Sequence, residues 1–177
     1  SRSANFEKSI SDTSRQKRQG DLEGKDYYFL SEKDFKEKIK KEEYVEYATV
    51  FGNFYGTSKN EIKTKYNNSN LVLELDWQGA YAVKKLFDDA KLIFLVPPSL
   101  DDLKQRLIKR NLDSSESIEN RLSEAKKEIS KSEMYDYLVL NDDFDKAFED
   151  LSQILFEGIS PIDFNSRTSK DLIKRLV

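Results

Sequence analysis

Residues 92–99 read Leu-Ile-Phe-Leu-Val-Pro-Pro-Ser, an apolar run and a short break that lead into a helical pattern over residues 100–110. The apolar runs at residues 71–75 and 137–140 repeat this arrangement, with helical patterns over residues 80–88 and 145–156. Nearly continuous apolar runs of this length are typical of strands that are buried on both faces. Their alternation with helices predicts an α/β fold built on a parallel sheet.

Polar residues follow each predicted strand. Ligands of parallel sheets bind beyond the carboxyl ends of the strands, so we expect a site at Asp76, Ser99 and the segment 141–143. Ser99 is also a predicted helix N-cap.

The residues before position 67 follow a different pattern. Strand-like, aromatic-rich segments cover residues 6–11, 27–30, 44–51 and 54–55, and a helix capped by Ser31 runs to about Lys41 with Phe35 and Ile39 on its apolar stripe. We predict a small α+β lobe, with turns at Gly20, Gly24, Gly52 and Gly56. Residues 114–133 form a predicted charged helix of the kind that covers a site and moves, and residues 171–177 a short terminal helix.

Composition excludes several kinds of chemistry. The 177 residues contain no Cys and no His, so a thiol nucleophile, a Cys zinc site and a histidine base are ruled out. The 30 basic and 33 acidic residues balance to −3, which predicts neither a nucleic-acid partner nor a membrane partner. The longest aliphatic run has five residues, whereas a membrane helix needs about 20, and we expect a cytoplasmic location.

Two patterns indicate contacts to a ligand. Arg15 and Arg18 lie three apart in a hydroxyl-rich loop, where two guanidinium groups can converge on one phosphate. Taken alone, the segment favours the alternative interpretation, a solvated polar loop. Strand alternation places Glu46 on one face with Tyr44 and Ala48, where its carboxylate could accept two hydrogen bonds from a flat ligand edge. The alternative is an edge-strand glutamate that faces solvent.

Two further groups could serve phosphoryl chemistry. Glu74 and Asp76 share one face of a predicted strand end and could hold Mg²⁺ through water, or could simply be acids at a helix N-terminus. Arg106 and Arg110 share a helix face, and Arg121 follows on the next helix. Such cations suit a transferring phosphoryl group, but a salt-bridged surface helix is an alternative interpretation.

A phosphate-binding loop of the form Gly-x-x-x-x-Gly-Lys-Ser/Thr is absent from the sequence. Residues 20–26 approach it but have one spacer residue too few and carry acids where phosphates would lie, so we interpret them as a turn.

Six blocks in order nevertheless resemble the guanylate kinase family. They cover residues 9–18, 24–29, 51–57, 75–79, 97–99 and 141–143. The resemblance implies a P-loop kinase-type parallel-sheet core (residues 1–12, 67–98 and 134–177), a GMP-binding α+β lobe (13–66) and a helical lid (99–133). It implies phosphoryl transfer from ATP to GMP with Mg²⁺ as cofactor, in a monomer or homodimer.

The resemblance also implies roles for individual residues. The GMP phosphate would be held by Arg15, Arg18, Tyr27 and Tyr55. Guanine would be read by Ser11, Glu46, Thr57 and Asp76, with Glu74 near the substrate and metal. The lid arginines Arg106, Arg110 and Arg121 would close over ATP, whose adenine Asn141 would flank.

Two departures from the family concern the Arg loop and the start of the chain. Asp21 stands where the family usually has Glu, which shortens one contact to the Arg loop. The family opens with a strand, a phosphate-binding loop and a helix, whereas five residues precede Phe6, so we expect the 177-residue chain by itself to show no phosphoryl transfer. The alternative function is a non-catalytic module of this fold that recognises phosphorylated peptides. The retained lid arginines and strand-end acids favour the enzyme.

Overall fold

The computed structural model describes residues 5–66, 69–110, 115–160, 162 and 166–176. The chain divides into two compact units, Ser1–Asp88 and Asp89–Val177.

The first unit contains six strands and three helices among its described residues. In chain order they are β1 (Phe6–Lys8), β2 (Asp12–Thr13), β3 (Tyr28–Phe29), α1 (Glu32–Lys40), β4 (Tyr44–Val50), β5 (Asn53–Ser58), α2 (Lys59–Lys65), β6 (Asn70–Val72) and α3 (Trp77–Leu86).

This unit contains a four-stranded sheet in the order β3-β2-β5-β4. Strands β4 and β5 form an antiparallel hairpin in which Val50 pairs with Asn53. The two residues between them, Phe51 and Gly52, have φ values of 50° and 76°. Two successive positive φ values are typical of the tight turn that matches the twist of a hairpin.

Helix α1 packs its apolar stripe onto this sheet. Ser31 accepts a hydrogen bond from the Asp34 N–H, which confirms the predicted cap. The fully buried ring of Phe35 stacks on Tyr44 and Phe54, with centroid distances of 4.6 and 5.3 Å. Through this ring α1 packs against β4 and β5.

The strand predicted at residues 71–75 is shorter than expected. Strand β6 ends at Val72 because its only partner among the described residues, the parallel strand β1, ends opposite at Lys8. The chain then leads to Asp76, which caps α3, so this helix begins at Trp77 rather than at Ala80. Glu74 therefore does not lie on a strand, and the predicted shared strand face of Glu74 and Asp76 is wrong.

One prediction between positions 53 and 66 is also wrong, and one helix in this range was not predicted. Gly56 lies inside β5 and not in a turn. Glycine is needed there for close packing, since a Cβ would come within 3.0 Å of the Glu46 carbonyl and of the Tyr44 ring. Helix α2 was not predicted, although Ser58 and Glu61 have the spacing of a helix start, and Ser58 accepts from the Glu61 N–H. The positive φ values of Gly20, Gly24 and Gly52 confirm the other three turns.

The second unit alternates strands and helices. It contains β7 (Ile93–Val96), α4 (Leu100–Arg110), α5 (Ser115–Ser130), a short 3₁₀ helix (Ser132–Met134), β8 (Tyr137–Leu140), α6 (Phe144–Glu157) and α7 (Arg167–Leu176). Helix α4 has its predicted bounds, and Ser99 accepts from the Asp102 N–H as expected of a cap. One predicted helix starts at Ser114 and another ends at Val177, and both positions lie outside the described residues.

The core of this unit lies against the strand pair. Strands β7 and β8 are parallel, with Val96 opposite Leu140. A buried cluster covers them and reaches α5 and α7; its members are Phe94, Val96, Ile129, Leu138 and Leu176. Helix α6 packs on β8 through Val139, Ala147 and Ile154.

The α/β class is confirmed, but the described strands of the predicted parallel core form two separate pairs instead of one sheet. Both parallel pairs, β1-β6 and β7-β8, have only two strands. In the described part of the chain, no helix is long and apolar enough to cross a membrane.

Candidate active site

A buried carboxylate lies at the centre of the first unit. Glu46, on β4, is only 5 % exposed, and its Oε1 accepts a hydrogen bond of 2.6 Å from the Thr57 hydroxyl on β5. The alternation predicted for β4 is confirmed for Glu46, Tyr47 and Ala48, of which Tyr47 alone is exposed. The solvent-facing interpretation of Glu46 is therefore wrong. The predicted alternation is wrong for Tyr44, because a register shift pairs Tyr44 with Ser58 and Glu46 with Thr57, which face opposite ways.

The start of helix α3 closes the space beside this carboxylate. Asp76 caps the helix, with its Oδ1 accepting from the Gly79 N–H at 2.9 Å and its Oδ2 accepting from the Gln78 amide at 2.9 Å. Gly79 itself packs against Glu46, because a Cβ at position 79 would lie 2.9 Å from Oε2. The structure thus brings Glu46, Thr57 and Asp76 together, and Asp76 acts as a helix cap as well.

Burial is the main electrostatic influence on Glu46. It raises the pKa of this carboxyl above the ordinary value of 4.5, and the nearby Asp76 charge acts in the same direction. The hydrogen bonds from Thr57 oppose the shift because they stabilise the charged form. A ligand that donates hydrogen bonds to Glu46 would also favour the charged form.

A second cluster surrounds the guanidinium of Arg15. The side chain of Arg15 is only 13 % exposed, and its Nη2 lies 2.9 Å from Asp21 Oδ2. The guanidinium carbon lies over the rings of Tyr27 and Phe29, at 5.4 and 5.5 Å from their centroids. Arg15 is therefore held in one place, which the interpretation of this segment as a solvated loop does not explain.

Asp21 also fixes the backbone of this loop. Its Oδ2 accepts from the Arg18 N–H at 2.8 Å. This backbone bond, followed by the Arg15 side chain, is the main reason that the pKa of Asp21 is lowered below its ordinary value. The shorter acid at position 21 thus still reaches both arginine positions, while the Arg18 side chain is half-buried.

Two tyrosines complete the Arg15 cluster. The rings of Tyr27 and Tyr55 meet edge to face, with centroids 5.7 Å apart. Burial and the neighbouring Tyr55 raise the pKa of Tyr27, so its hydroxyl stays protonated and able to donate. Tyr55 and Thr57 alternate along β5 and share its face, so this strand connects the Arg15 cluster with the Glu46 cluster.

Two residues next to Arg15, Thr13 and Ser14, anchor this loop. The sequence did not predict this role for them. The Thr13 hydroxyl donates to the Phe54 carbonyl at 2.9 Å and accepts from the Arg15 N–H at 3.1 Å. Ser14 accepts from the Phe54 N–H at 2.8 Å. Hydroxyl residues before a paired arginine are the only sequence signal of this role. Ser11 is half-buried, and its carbonyl accepts from the Tyr28 N–H.

Glu74 lies in an exposed position. Its side chain is 71 % exposed and forms a 2.8 Å ion pair with Lys8. A pair of this kind contributes little to stability. Glu74 still contributes to the electrostatic surroundings of Tyr27.

The second unit carries the remaining predicted residues. Arg106 on α4 donates to the carbonyls of Asn141 and Asp142, at 2.8 and 3.0 Å, so the structure brings Arg106 and Asn141 together. Arg110 is exposed at the end of α4, and Arg121 is half-buried on α5. Lys104 and Glu119 form a 2.8 Å ion pair between α4 and α5.

Comparison with known proteins identifies the family. Residues 1–158 match the family model described as guanylate kinase. A guanylate kinase of Wolbachia from Brugia malayi is 45 % identical over 156 residues, which are 87 % of this chain and 80 % of that protein. A guanylate kinase of Hahella chejuensis is 49 % identical over 147 residues, 82 % of this chain and 71 % of that protein. A crystal structure of guanylate kinase from Anaplasma phagocytophilum matches with a TM-score of 0.73 and 32 % identity, over 96 % of this chain and 84 % of that one.

The fold and the sequence thus define a nucleotide kinase. The chain belongs to the guanylate kinase family. As a member of that family it is an ATP:GMP phosphotransferase, which confirms the enzymatic interpretation of the sequence over the phosphopeptide-binding alternative.

Proposed function

We propose that the first unit binds GMP with the residues predicted from the sequence, and that residues of the second unit bind ATP. The observation that carries the proposal is the buried Glu46 carboxylate, held by Thr57 with its Oε2 beside Gly79. A buried acid with one hydroxyl partner retains acceptor capacity for a ligand.

The chemistry of the base explains why GMP is the substrate. Guanine presents N1–H and an exocyclic amine side by side, and a carboxylate accepts from both. Adenine has an acceptor at N1, which would face the carboxylate unpaired. A buried polar group without a partner costs about 1–3 kcal/mol, so Glu46, with Thr57, Asp76 and Ser11 around the base, selects guanine.

The Arg15 cluster suits the phosphate of GMP. Arg15 offers a guanidinium fork that Asp21 and two aromatic rings already hold in place. Arg18, Tyr27 and Tyr55 supply the further donors. Because β5 carries both Tyr55 and Thr57 on one face, one ligand can contact both clusters.

The proposed ATP contacts come from the second unit. Arg106, Arg110 and Arg121 are the cations that stabilise the transferring phosphoryl group, and Asn141 flanks the adenine. The bonds of Arg106 to two loop carbonyls support this, since they tie the helix of the arginines to the loop of Asn141. Stabilisation of the charge that develops on the phosphoryl group is the main task of the protein in this chemistry.

Glu74 and Asp76 fit Mg²⁺ through water only. Both carboxylates have protein partners, and the described residues contain no group of three or more acids that could enclose a metal ion. Mg²⁺ commonly keeps its waters and takes one or two carboxylates together with substrate phosphates. When bound, it neutralises charge on the phosphates.

We propose that the partners are GMP and Mg-ATP, and that the protein is a cytoplasmic monomer or homodimer.

Titration calorimetry with GMP and AMP tests the base assignment. We expect wild type to prefer GMP, and Glu46→Gln to lose about tenfold or more in GMP affinity, because the new amide points a donor at a donor. Glu37→Gln, at an exposed position of α1, is the matched control and should bind as wild type does. Equal GMP affinity of wild type and Glu46→Gln contradicts the proposal.

A further inference from the structure

Asp12 is a buried acid between two parts of the site. It is only 3 % exposed within β2, where a carboxylate requires donors around it. Its Oδ2 accepts from the Tyr44 hydroxyl at 2.8 Å and forms an ion pair with Lys38. One oxygen atom therefore joins β2 to both α1 and β4.

The loop on one side of Asp12 leads to the Arg15 cluster. Thr13, the next residue, binds the Arg15 N–H and the Phe54 carbonyl through its hydroxyl. The strand pairs Asp12 with Gly56 and Thr13 with Tyr55, so β2 lies directly beside the strand that carries Tyr55. A shift of β2 would move the start of the arginine loop with it.

The partner Tyr44 lies on the strand of Glu46. Both side chains are buried, but on opposite faces of the hairpin, because a register shift between them pairs Tyr44 with Ser58 and Glu46 with Thr57. Gly56 packs against this stretch, since a Cβ at position 56 would come within 3.0 Å of the Tyr44 ring and of the Glu46 carbonyl. Burial and the bond to Asp12 raise the pKa of the Tyr44 hydroxyl above its ordinary value, so it remains a donor.

We propose that Asp12, held by Tyr44 and Lys38, is a positioning residue that sets the arginine loop at a fixed distance from Glu46. This inference rests on the proposed GMP site. A ligand that reaches both clusters depends on their spacing, whereas a ligand that reaches only Glu46 depends on it much less. Preorganisation of this kind increases affinity because the cost of ordering is met before binding.

The variant Tyr44→Phe tests the proposal, because it removes one hydroxyl and keeps the ring that stacks on Phe35 at 4.6 Å. We expect GMP affinity to fall about tenfold, which corresponds to the loss of one hydrogen bond to a charged group. Guanosine affinity should change less than about twofold. Equal losses for both ligands, or no loss for GMP, would overturn the proposal.

A second pair of variants keeps the test valid if Tyr44→Phe does not fold, as judged by thermal melting. Lys38→Met removes the ion pair with Asp12, and Lys36→Met removes an ion pair with Glu32 on the same helix. The proposal expects selective loss of GMP affinity in Lys38→Met only. Equal behaviour of the two variants contradicts it. Failure of wild type to bind GMP overturns the proposed function instead, and this inference with it.

Discussion

A Cβ atom at position 79 would lie 2.9 Å from Oε2 of Glu46 and 3.3 Å from Cβ of Leu75. Real Cβ atoms essentially never approach another atom so closely. The absence of a side chain at Gly79 in the first turn of α3 therefore gives the carboxylate its position.

Gly79→Ala should weaken GMP binding with little change in stability. Alanine favours a helix by about 0.5–1 kcal/mol over glycine, and this gain offsets part of the crowding. The Glu46 carboxylate is the mobile end of its side chain and would move, so we expect about tenfold weaker GMP binding. Calorimetry and thermal melting measure the two effects. Unchanged affinity would show that the position of Oε2 does not matter for the ligand.

Arg15→Lys and Arg18→Lys should weaken GMP binding and leave guanosine binding nearly unchanged. A lysine is a point charge and cannot reproduce the two-pronged contact of a guanidinium with phosphate. We expect a loss of about tenfold or more for GMP by calorimetry. The control is Lys17→Met, whose side chain lies in the same loop and is exposed. If guanosine binding falls as much as GMP binding, the loop has a structural role only.

Guanosine binding should become tighter as pH rises through the raised pKa of Glu46. Burial shifts this pKa above 4.5, and bound guanine stabilises the charged carboxylate, so binding releases a proton in that range. The same shift means that the Glu46 contribution to stability is full below pH 4.5 and is lost as pH rises through the folded-state pKa.

Calorimetry in buffers of different ionisation enthalpy measures the proton release. Guanosine is the appropriate ligand because it lacks the phosphate that would titrate in GMP. The variant Glu46→Gln should show no such pH dependence. A wild-type affinity that stays constant across this range would contradict the assignment of Glu46 to the base.

Phe51→Asn should stabilise the first unit. Phe51 has a φ of 50°, a conformation that costs an ordinary residue roughly 1–2 kcal/mol and that asparagine adopts more easily. The residue is 46 % exposed, so only part of the ring is withdrawn from water. We expect a gain of about 0.5–1 kcal/mol in urea unfolding, while Gly52→Ala, with φ at 76°, should be destabilised. A less stable Phe51→Asn would show that ring contacts outweigh the strain.

Local sequence determined most of the helices. The hydroxyls of Ser31 and Ser99 cap α1 and α4, and the apolar spacing after them set their buried faces, since both effects act within a few residues. The shared buried face of Glu46 and Ala48 on β4 also followed from alternation, whereas the register shift that turns Tyr44 to the other face did not. The resemblance of six short blocks identified the family, which the comparisons confirmed.

Tertiary structure decided where strands end and which acids are buried. Strand β6 stops at Val72 because β1 offers no partner beyond Lys8, and strand length depends on a neighbour that is distant in sequence. Gly56 has the composition signal of a turn, yet it packs inside β5 against Tyr44.

The site itself shows the same division. Sequence alone indicated that Glu46 and Arg15 could bind a nucleotide, because carboxylate and guanidinium chemistry is a property of single residues. It gave no indication that Asp12 would be tied to Lys38 and Tyr44, which lie 26 and 32 positions away. Such contacts form only when β2, α1 and β4 pack together, because burial and distance are properties of the folded chain and not of any one segment.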